Sequence, residues 1–286
     1  MHRKQKHKRI DMNTKTEKLF KHINIGVSLL LICITAQAQV GDYFVNRVKV
    51  GDIYYVDAGD NDRFIDYRSW DQGNPPGVPK GIVVYAHYGP KPADPTSEPA
   101  WHGWIVAIQG SEPMAWAPTG SICYNNCVAA YAVPGISTYF NPNANTNLGS
   151  MGDTCGWQNT YRVLEFIYTG QGTTLSSEIS PVFHHLLSDC NGVTDFSSKP
   201  TMSYTSWYLP SYGQLKVMVG SIGAINAALN ACGQSEFTIT ETFWTSSEYG
   251  PGNVGVAWAI SSSGVGSTSP NWLKNKLRSV RPFRNF

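Results

Sequence analysis

The side chains best suited to contact a ligand lie in two Gly-rich stretches near the C-terminus. They combine aromatic, amide, hydroxyl and ammonium groups, and they are Tyr249, Asn253, Ser262, Ser263, Asn271, Trp272, Lys274 and Lys276. Aromatic rings stack on the apolar faces of sugars and anchor protein contacts, whereas ammonium groups attract anions. Because loops on a rigid sheet often carry binding specificity, we predict that these residues bind a glycan or a surface protein.

Three tryptophans offer a second route to a sugar-stacking surface. Trp207 and Trp244 belong to motifs that join a helix to a sheet, and Trp258 lies in a predicted strand. A tryptophan at such a junction buries a large area. We therefore predict that Trp207 and Trp244 fill the core.

The chain after Glu248 is basic. It holds five positive residues and no acidic one: Lys274, Lys276, Arg278, Arg281 and Arg284. Several of them facing outward together would attract an anionic glycan or an acidic protein patch, and a solvated sheet edge is an equally ordinary interpretation. Since arginine binds a carboxylate in a bidentate manner, we predict an ion pair between Glu248 and Arg281.

Cysteine chemistry points to disulfides. Residues 39–286 contain an odd number of cysteines, namely Cys123, Cys127, Cys155, Cys190 and Cys232. Two disulfides and one free thiol fit a compartment in which disulfides persist, and Cys190–Cys232 is the favoured pair because each residue ends a helical pattern. Cys123 and Cys127 lack the second spaced pair that zinc needs.

Catalytic and metal-binding motifs are missing from the sequence. No nucleophile elbow, phosphate loop or His-Glu-x-x-His helix occurs, and the acidic turn 57–62 does not match a calcium loop. His184 and His185 lie mostly off the apolar face of their predicted helix. We predict no enzyme activity, no catalytic residue, no metal and no cofactor.

The N-terminus predicts export. A basic run is followed by a short apolar stretch and by Ala36-Gln37-Ala38, a sequence typical of a signal peptidase site. We predict a signal peptide over residues 1–38, and the apolar stretch is too short to span a bilayer. Lipidation of Cys33 is the alternative. The predicted location is secreted, periplasmic or on the outer surface of a bacterium.

The charge balance changes when the signal leaves. The chain has 22 basic and 20 acidic residues, and eight basic and two acidic ones lie in residues 1–38. The remainder carries 14 against 18, a net charge of −4. Nucleic-acid binding is therefore not predicted.

Strands and helices must position these residues. Apolar and β-branched runs predict strands near 50–56, 81–86, 104–108, 242–248, 255–261 and 278–284. Periodicity predicts helices over 161–168 and 177–189, and a third begins at the capping box Ser211–Gln214 and stops at Gly233. We predict an N-terminal strand and turn region over 39–80, which ends in a rigid connector over 73–79, and a main domain over 81–286.

Eight short motifs follow one another in an order that resembles the Fibrobacter-major-paralogue family of secreted bacterial domains. They are Val50–Tyr55, Gly81–Tyr85, His102–Ile108, Trp207–Ser211, Ile225–Leu229, Trp244–Tyr249, Ala257–Trp258 and Val280–Arg284. The resemblance implies an α+β, C-type-lectin-like domain with a twisted antiparallel sheet, two or more helices and long irregular loops. It also implies a surface or fimbria-associated protein with adhesive or carbohydrate-binding function.

Departures from related proteins narrow this expectation. Trp244-Thr245-Ser246 replaces the carboxylate-bearing triplet of calcium-dependent lectins, so we predict calcium-independent binding. Formylglycine-generating enzymes of this fold use paired C-terminal cysteines, and here only Cys232 lies in that region. Two alternatives stay open: a structural fimbrial or envelope subunit, and a variable receptor diversified by a retroelement.

Overall fold

A computed structural model describes residues 48–86, 103–126, 156–238, 241–248, 254–261 and 271–286, with the backbone alone for Asn271 and Trp272. The predicted signal peptide over 1–38, which includes Cys33, lies outside these ranges. So do six further residues that the sequence singled out: Cys127, Cys155, Tyr249, Asn253, Ser262 and Ser263.

Ten strands and four α-helices make up the described residues. The strands are β1 (Ile53–Asp57), β2 (Asp62–Ile65), β3 (Gly77–Ala86), β4 (Gly103–Ala107), β5 (Met114–Ala115), β6 (Thr242–Glu248), β7 (Val256–Ser261), β8 (Asn271–Leu273), β9 (Leu277–Arg278) and β10 (Phe283–Asn285). The helices are α1 (Gly156–Glu165), α2 (Pro181–His185), α3 (Tyr212–Gly220) and α4 (Ile222–Ala231). A 3₁₀ turn occupies Tyr67–Ser69, and π-helical turns follow α1 over Phe166–Gly170 and α2 over Leu186–Cys190.

The strands pair antiparallel in three sheets. The largest has the order β10-β4-β3-β1-β2, a second joins β6, β7 and β8, and β5 pairs with β9. This architecture confirms an α+β fold with antiparallel sheets. The boundary predicted at residue 80 falls inside β3, so the residues on both sides of it share one sheet.

Both faces of the central strands are buried. Ile82, Val84 and Val106 belong to the main core, whereas Val83 and Ile105 pack with Tyr54 in a smaller cluster on the opposite face. A strand covered on both faces reads as a continuous apolar run instead of an alternating one. That explains why Gly81–Ala86 and Trp104–Ile108 carry few polar residues.

The predicted connector is partly strand. Residues 73–79 were expected to form a rigid link, but β3 begins at Gly77. Its pairing with β1 shifts register between Tyr54 and Tyr55, opposite Gly81 and Pro79. Because proline lacks an N–H group, a bulge is one of the places where a strand tolerates it.

The helical hairpin of α3 and α4 confirms its sequence signals. Ser211 and Gln214 form the predicted capping box, in which the Ser211 N–H donates to Gln214 Oε1 at 3.0 Å. After α4, Gly233 has a φ of +70°. The Gly233 N–H donates to the Asn230 carbonyl and the Gln234 N–H to the Leu229 carbonyl, which is a Schellman ending.

The earlier helices depart from their predicted bounds. The helix predicted to begin at residue 161 begins at Gly156. The one predicted to begin at residue 177 begins at Pro181, because residues 176–180 form a turn and proline suits the first helical position. None of the helices in the described ranges is long and apolar enough to cross a membrane.

The predicted disulfide between Cys190 and Cys232 is wrong. Cys123, Cys190 and Cys232 are all free thiols. Cys190 ends the π turn after α2, where its sulfur contacts His185 of the same helix, and Cys232 caps α4. The position of a cysteine at the end of a helix therefore does not predict its disulfide partner.

Candidate functional site

The sheet of β6, β7 and β8 carries the predicted ligand-binding stretches. Register places Thr242 opposite Ser261, Glu248 opposite Ala257, and Leu273 opposite Val256. Residues 249–253 thus follow the end of β6 and precede β7, whereas residues 262–270 leave the other end of β7.

The eight predicted residues therefore divide into separate groups. Tyr249 and Asn253 lie in the sequence between β6 and the first residue of β7. The turn that holds Lys274 and Lys276 lies at this end of β7, since the Lys274 N–H donates to the Gly255 carbonyl at 2.9 Å. Ser262 and Ser263 follow Ser261, the last residue of β7 in the sequence. The two ends of this six-residue strand are about 17 Å apart. Asn271 and Trp272 lie in β8 opposite Trp258 and Ala257.

Lys274 is not an exposed ligand contact. Its side chain is fully buried and pairs with the equally buried Glu248. The Lys274 ammonium also donates to the Cys123 carbonyl at 2.7 Å and the Asn126 carbonyl at 2.8 Å, and it lies 4.5 Å from the ring centroid of Trp116. The prediction that Lys274 binds a ligand is wrong, because no solvent reaches it.

The buried pair joins three parts of the chain. Desolvating two charges is unfavourable, and only good geometry with extra hydrogen bonds offsets it. Here the two carbonyl acceptors and the indole face supply those extra interactions. As a result, the end of β6, the turn after β8 and residues 123–126 are held together at one end of the sheet.

Among the other residues of that end, Lys276 is exposed, and its role as a ligand contact stays a prediction. Three apolar residues of the neighbouring segments are also exposed: Val254 is 37% exposed, Leu273 45% and Leu277 60%. Asn275 donates to Thr119 Oγ1 at 2.8 Å, which ties the turn to the segment that precedes Cys123. This end, built on the buried Lys274–Glu248 pair, is hereafter called the anchored end.

The tryptophans serve the core. Trp244 and Trp258 are completely buried, and Trp207 packs half-buried against the smaller apolar cluster. The Trp244 indole donates to the Met114 carbonyl at 2.9 Å, and that of Trp116 to the Thr245 carbonyl at 3.0 Å. The predicted core position of Trp244 is confirmed, and Trp258 cannot stack on a sugar.

The C-terminal residues Arg281 and Arg284 form hydrogen bonds and ion pairs within the fold. Arg281 donates to the Ile108 carbonyl at 2.7 Å and lies 3.9 Å from Glu241, so the predicted Glu248–Arg281 ion pair is wrong. Arg284 donates to Tyr54 Oη at 2.5 Å and to Asp62 at 2.9 Å. With Lys274 buried as well, these residues do not form one outward basic patch.

The acidic turn folds on itself. Both carboxylate oxygens of Asp57 accept hydrogen bonds, from the N–H groups of Gly59 and Asn61, the Asn61 amide and the Arg63 guanidinium. Backbone donors, first that of Asn61, lower the pKa of Asp57 to about 2. Within the described ranges, no group of three or more His, Cys, Asp or Glu side chains is arranged to hold a metal.

A further polar cluster lies where α2 passes into its π turn. His185 Nδ1 lies 2.7 Å from Asp189 Oδ2, and His185 Nε2 lies 3.8 Å from Cys190 Sγ. The sequence indicates no role for His185, because this residue lies mostly off the apolar face of its predicted helix. The spacing His-x-x-x-Asp-Cys at a helix end was the only available signal.

Comparison with known proteins identifies a neighbour in fold only. No protein-family model matches the chain, and no curated protein matches it. Among solved structures, a fimbrial protein from Bacteroides ovatus ATCC 8483 superposes with a TM-score of 0.55 at 19% sequence identity. The match covers 83% of this chain and 49% of the other, so this chain spans about half of that protein's length.

Proposed function

We propose that this chain is a fimbria-associated protein of a bacterial surface that recognises a ligand and catalyses no reaction. We further propose that it is a C-type-lectin-like domain of the Fibrobacter-major-paralogue family. The observation that carries the proposal is the likeness in fold to a fimbrial protein over 83% of the chain. The predicted signal peptide, which would export the chain, agrees with it.

The arrangement of strands supports the lectin-like assignment. The C-terminal strand β10 lies in the same sheet as β1, next to β4, so both ends of the described domain meet there. β6, β7 and β8 form a separate sheet, whose strands are joined in the sequence by residues 249–255 and 262–270. A rigid scaffold with variable loops suits recognition.

The anchored end is the best place for the ligand. Lys276, Leu273 and Leu277 are exposed there, and Tyr249 and Asn253 lie in the sequence between β6 and β7. Aromatic and apolar groups beside one cation are well suited to a glycan with an anionic substituent or to a protein surface. Binding there needs no metal.

A structural subunit of a fimbria is the second candidate. It is favoured by the same likeness in fold and by the exposed apolar side chains of the anchored end, which would then pack against a neighbouring subunit. The two candidates differ in stoichiometry. A structural subunit is abundant along the fibre, whereas a recognition protein needs only a few copies.

Two measurements test the proposal. Sheared fimbriae of the producing bacterium are analysed by quantitative mass spectrometry, and the exported chain is screened on an array of glycans, glycosaminoglycans and surface proteins. We expect co-purification at a low ratio to the main subunit, with specific binding that survives chelation of metals. A chain that is absent from the fimbriae and binds nothing at low or high salt would exclude both candidates.

A further inference from the structure

Asp189, His185 and Cys190 have the relative placement of an orienting group, a base and a nucleophile, in that order. Asp189 Oδ2 lies 2.7 Å from one ring nitrogen of His185, and Cys190 Sγ lies 3.8 Å from the other. Hydrogen bonds from Ser188 and His185 lower the pKa of Asp189, so it is a carboxylate that can only accept. His185 Nδ1 therefore donates to it, which leaves Nε2 to accept the Cys190 proton.

The π turn brings the three side chains together. In an α-helix, residue i+5 is rotated about 140° from residue i. In a π-helical turn the i to i+5 hydrogen bond brings residue i+5 next to residue i instead. Asp189 and Cys190, at i+4 and i+5 from His185, consequently both reach its ring.

The cluster is open to solvent on one side. The Asp189 side chain is 64% exposed and that of His185 is 20% exposed, whereas Cys190 is half-buried. Burial, with a smaller contribution from the Asp189 charge, raises the pKa of Cys190 to about 12. The thiol is thus protonated at neutral pH, and it needs a base in contact before it can react.

We propose that Cys190 is a modification site that reacts with small-molecule disulfides, with His185 as its general base and Asp189 as the residue that positions the imidazole. The Cys190 sulfur attacks one sulfur of the disulfide R–S–S–R, and its proton passes to His185 Nε2. A bond forms between Cys190 and that sulfur while the S–S bond breaks. The leaving thiolate takes the proton from His185, giving R–SH and a mixed disulfide.

Cys232 provides a control within the same molecule. It too ends a helix as a half-buried free thiol, and burial raises its pKa to about 11. In the described ranges, no histidine contacts its sulfur. The two thiols therefore differ in the imidazole, which favours reaction at Cys190, and in the deeper burial of Cys190, which opposes it.

The test follows the reaction of the full chain with 2-hydroxyethyl disulfide, a neutral probe, by peptide-resolved mass spectrometry. Because general bases contribute about 10²–10⁴-fold, we expect Cys190 to react at least about tenfold faster than Cys232. His185→Gln should remove this advantage, whereas His184→Gln, which alters a ring stacked on Phe196, should keep it. Asp189→Asn should lower the Cys190 rate partially, and Asp189→Glu should restore it.

Two outcomes overturn the proposal. One is a wild-type Cys190 that reacts no faster than Cys232, a comparison that requires no variant to fold. The other is a folded His185→Gln variant, with an unchanged circular dichroism spectrum, that keeps the wild-type rate at Cys190. The reaction rate of Cys232 is the control for partial unfolding. It must be the same in all variants, because unfolding of a variant would expose Cys232 as well.

Discussion

Lys274 and Glu248, which are 26 residues apart in the chain, form a fully buried ion pair at the end of the sheet of β6, β7 and β8. The lysine also binds two carbonyl groups of residues 123–126. It therefore links segments that are separated by about half of the chain.

Removing the lysine should destabilise the fold strongly. Lys274→Met leaves the Glu248 carboxylate buried without its cation, which costs about 3–5 kcal/mol of unfolding free energy. The double variant Glu248→Gln with Lys274→Met removes the stranded charge and should recover more than about 1 kcal/mol of that loss. Urea unfolding measures both.

Lys276→Ala is the matched control, because this exposed lysine lies on the same turn. It should change the unfolding free energy by less than about 0.5 kcal/mol. A Lys274→Met variant that is as stable as this control would show that the ion pair does not hold the anchored end together.

A buried hydroxyl ties helix α3 to the C-terminal strand. Tyr208 Oη accepts from Gln214 Nε2 at 2.9 Å and donates to Asn285 Oδ1 at 2.8 Å. Tyr208→Phe leaves both partners buried with one hydrogen bond fewer and should cost about 1–3 kcal/mol. Tyr55→Phe, at a half-buried tyrosine of β1, is the comparison, and equal losses in the two variants would refute the explanation.

Local signals predicted local structure well. The capping box of Ser211 and Gln214, the stop at Gly233 and the strand over 242–248 each depend on residues within a few positions of one another. Their physical causes are backbone capping, positive φ and strand propensity, and all three can be read from neighbouring residues.

Burial of charged residues was not predictable in the same way. Lys274 follows a Gly- and Ser-rich stretch and looks like a loop residue, but its partners lie 26, 148 and 151 positions away. The pairing of β6, β7 and β8 brings Lys274 near Glu248, and the packing of residues 123–126 against this sheet supplies the two carbonyl groups. The His185–Cys190 contact was missed for another reason, because helical periodicity does not indicate where a helix turns into a π turn.

Two glycines of the helical hairpin should respond oppositely to alanine. At Gly233, a Cβ would meet only ordinary contacts with Gln72 at 3.5 Å, but its φ of +70° disfavours any side chain. Gly233→Ala should therefore cost about 1 kcal/mol. At Gly220, the last residue of α3, a Cβ would meet nothing within 4 Å, so Gly220→Ala should be neutral or stabilise by up to about 1 kcal/mol. Thermal unfolding of the two variants decides this, and a loss of equal size at both positions would contradict it.

Acid should remove one surface contribution in a defined pH range. Asp66 accepts from Arg68 at 2.7 and 3.0 Å and from Lys49 at 2.5 Å, and these hydrogen bonds, first those of Arg68, hold the pKa of Asp66 well below its usual value. A carboxyl with a depressed folded pKa stabilises the fold above its unfolded pKa of about 3.9, and loses this effect as the pH falls toward the folded value.

Asp66→Asn should accordingly be less stable than wild type at pH 7, and the difference should shrink below about pH 4. Urea unfolding at a series of pH values measures the difference directly. If it grew on acidification, or stayed constant, the ion pairs of Asp66 would not be its cause.

The two ends of β7 should differ in ligand binding. The anchored end combines an exposed cation and apolar side chains with the buried Lys274–Glu248 pair. Residues 262–263 follow the other end of β7, and the two ends of this strand are about 17 Å apart. For a ligand found on the array, Leu273→Asp with Leu277→Asp should weaken binding at least about tenfold, the scale of losing a buried contact of about 1.4 kcal/mol. Ser262→Ala with Ser263→Ala should change it by less than about twofold, equivalent to about 0.4 kcal/mol. Titration by surface plasmon resonance gives both values, and the reverse pattern would move the binding site to the other end of the sheet.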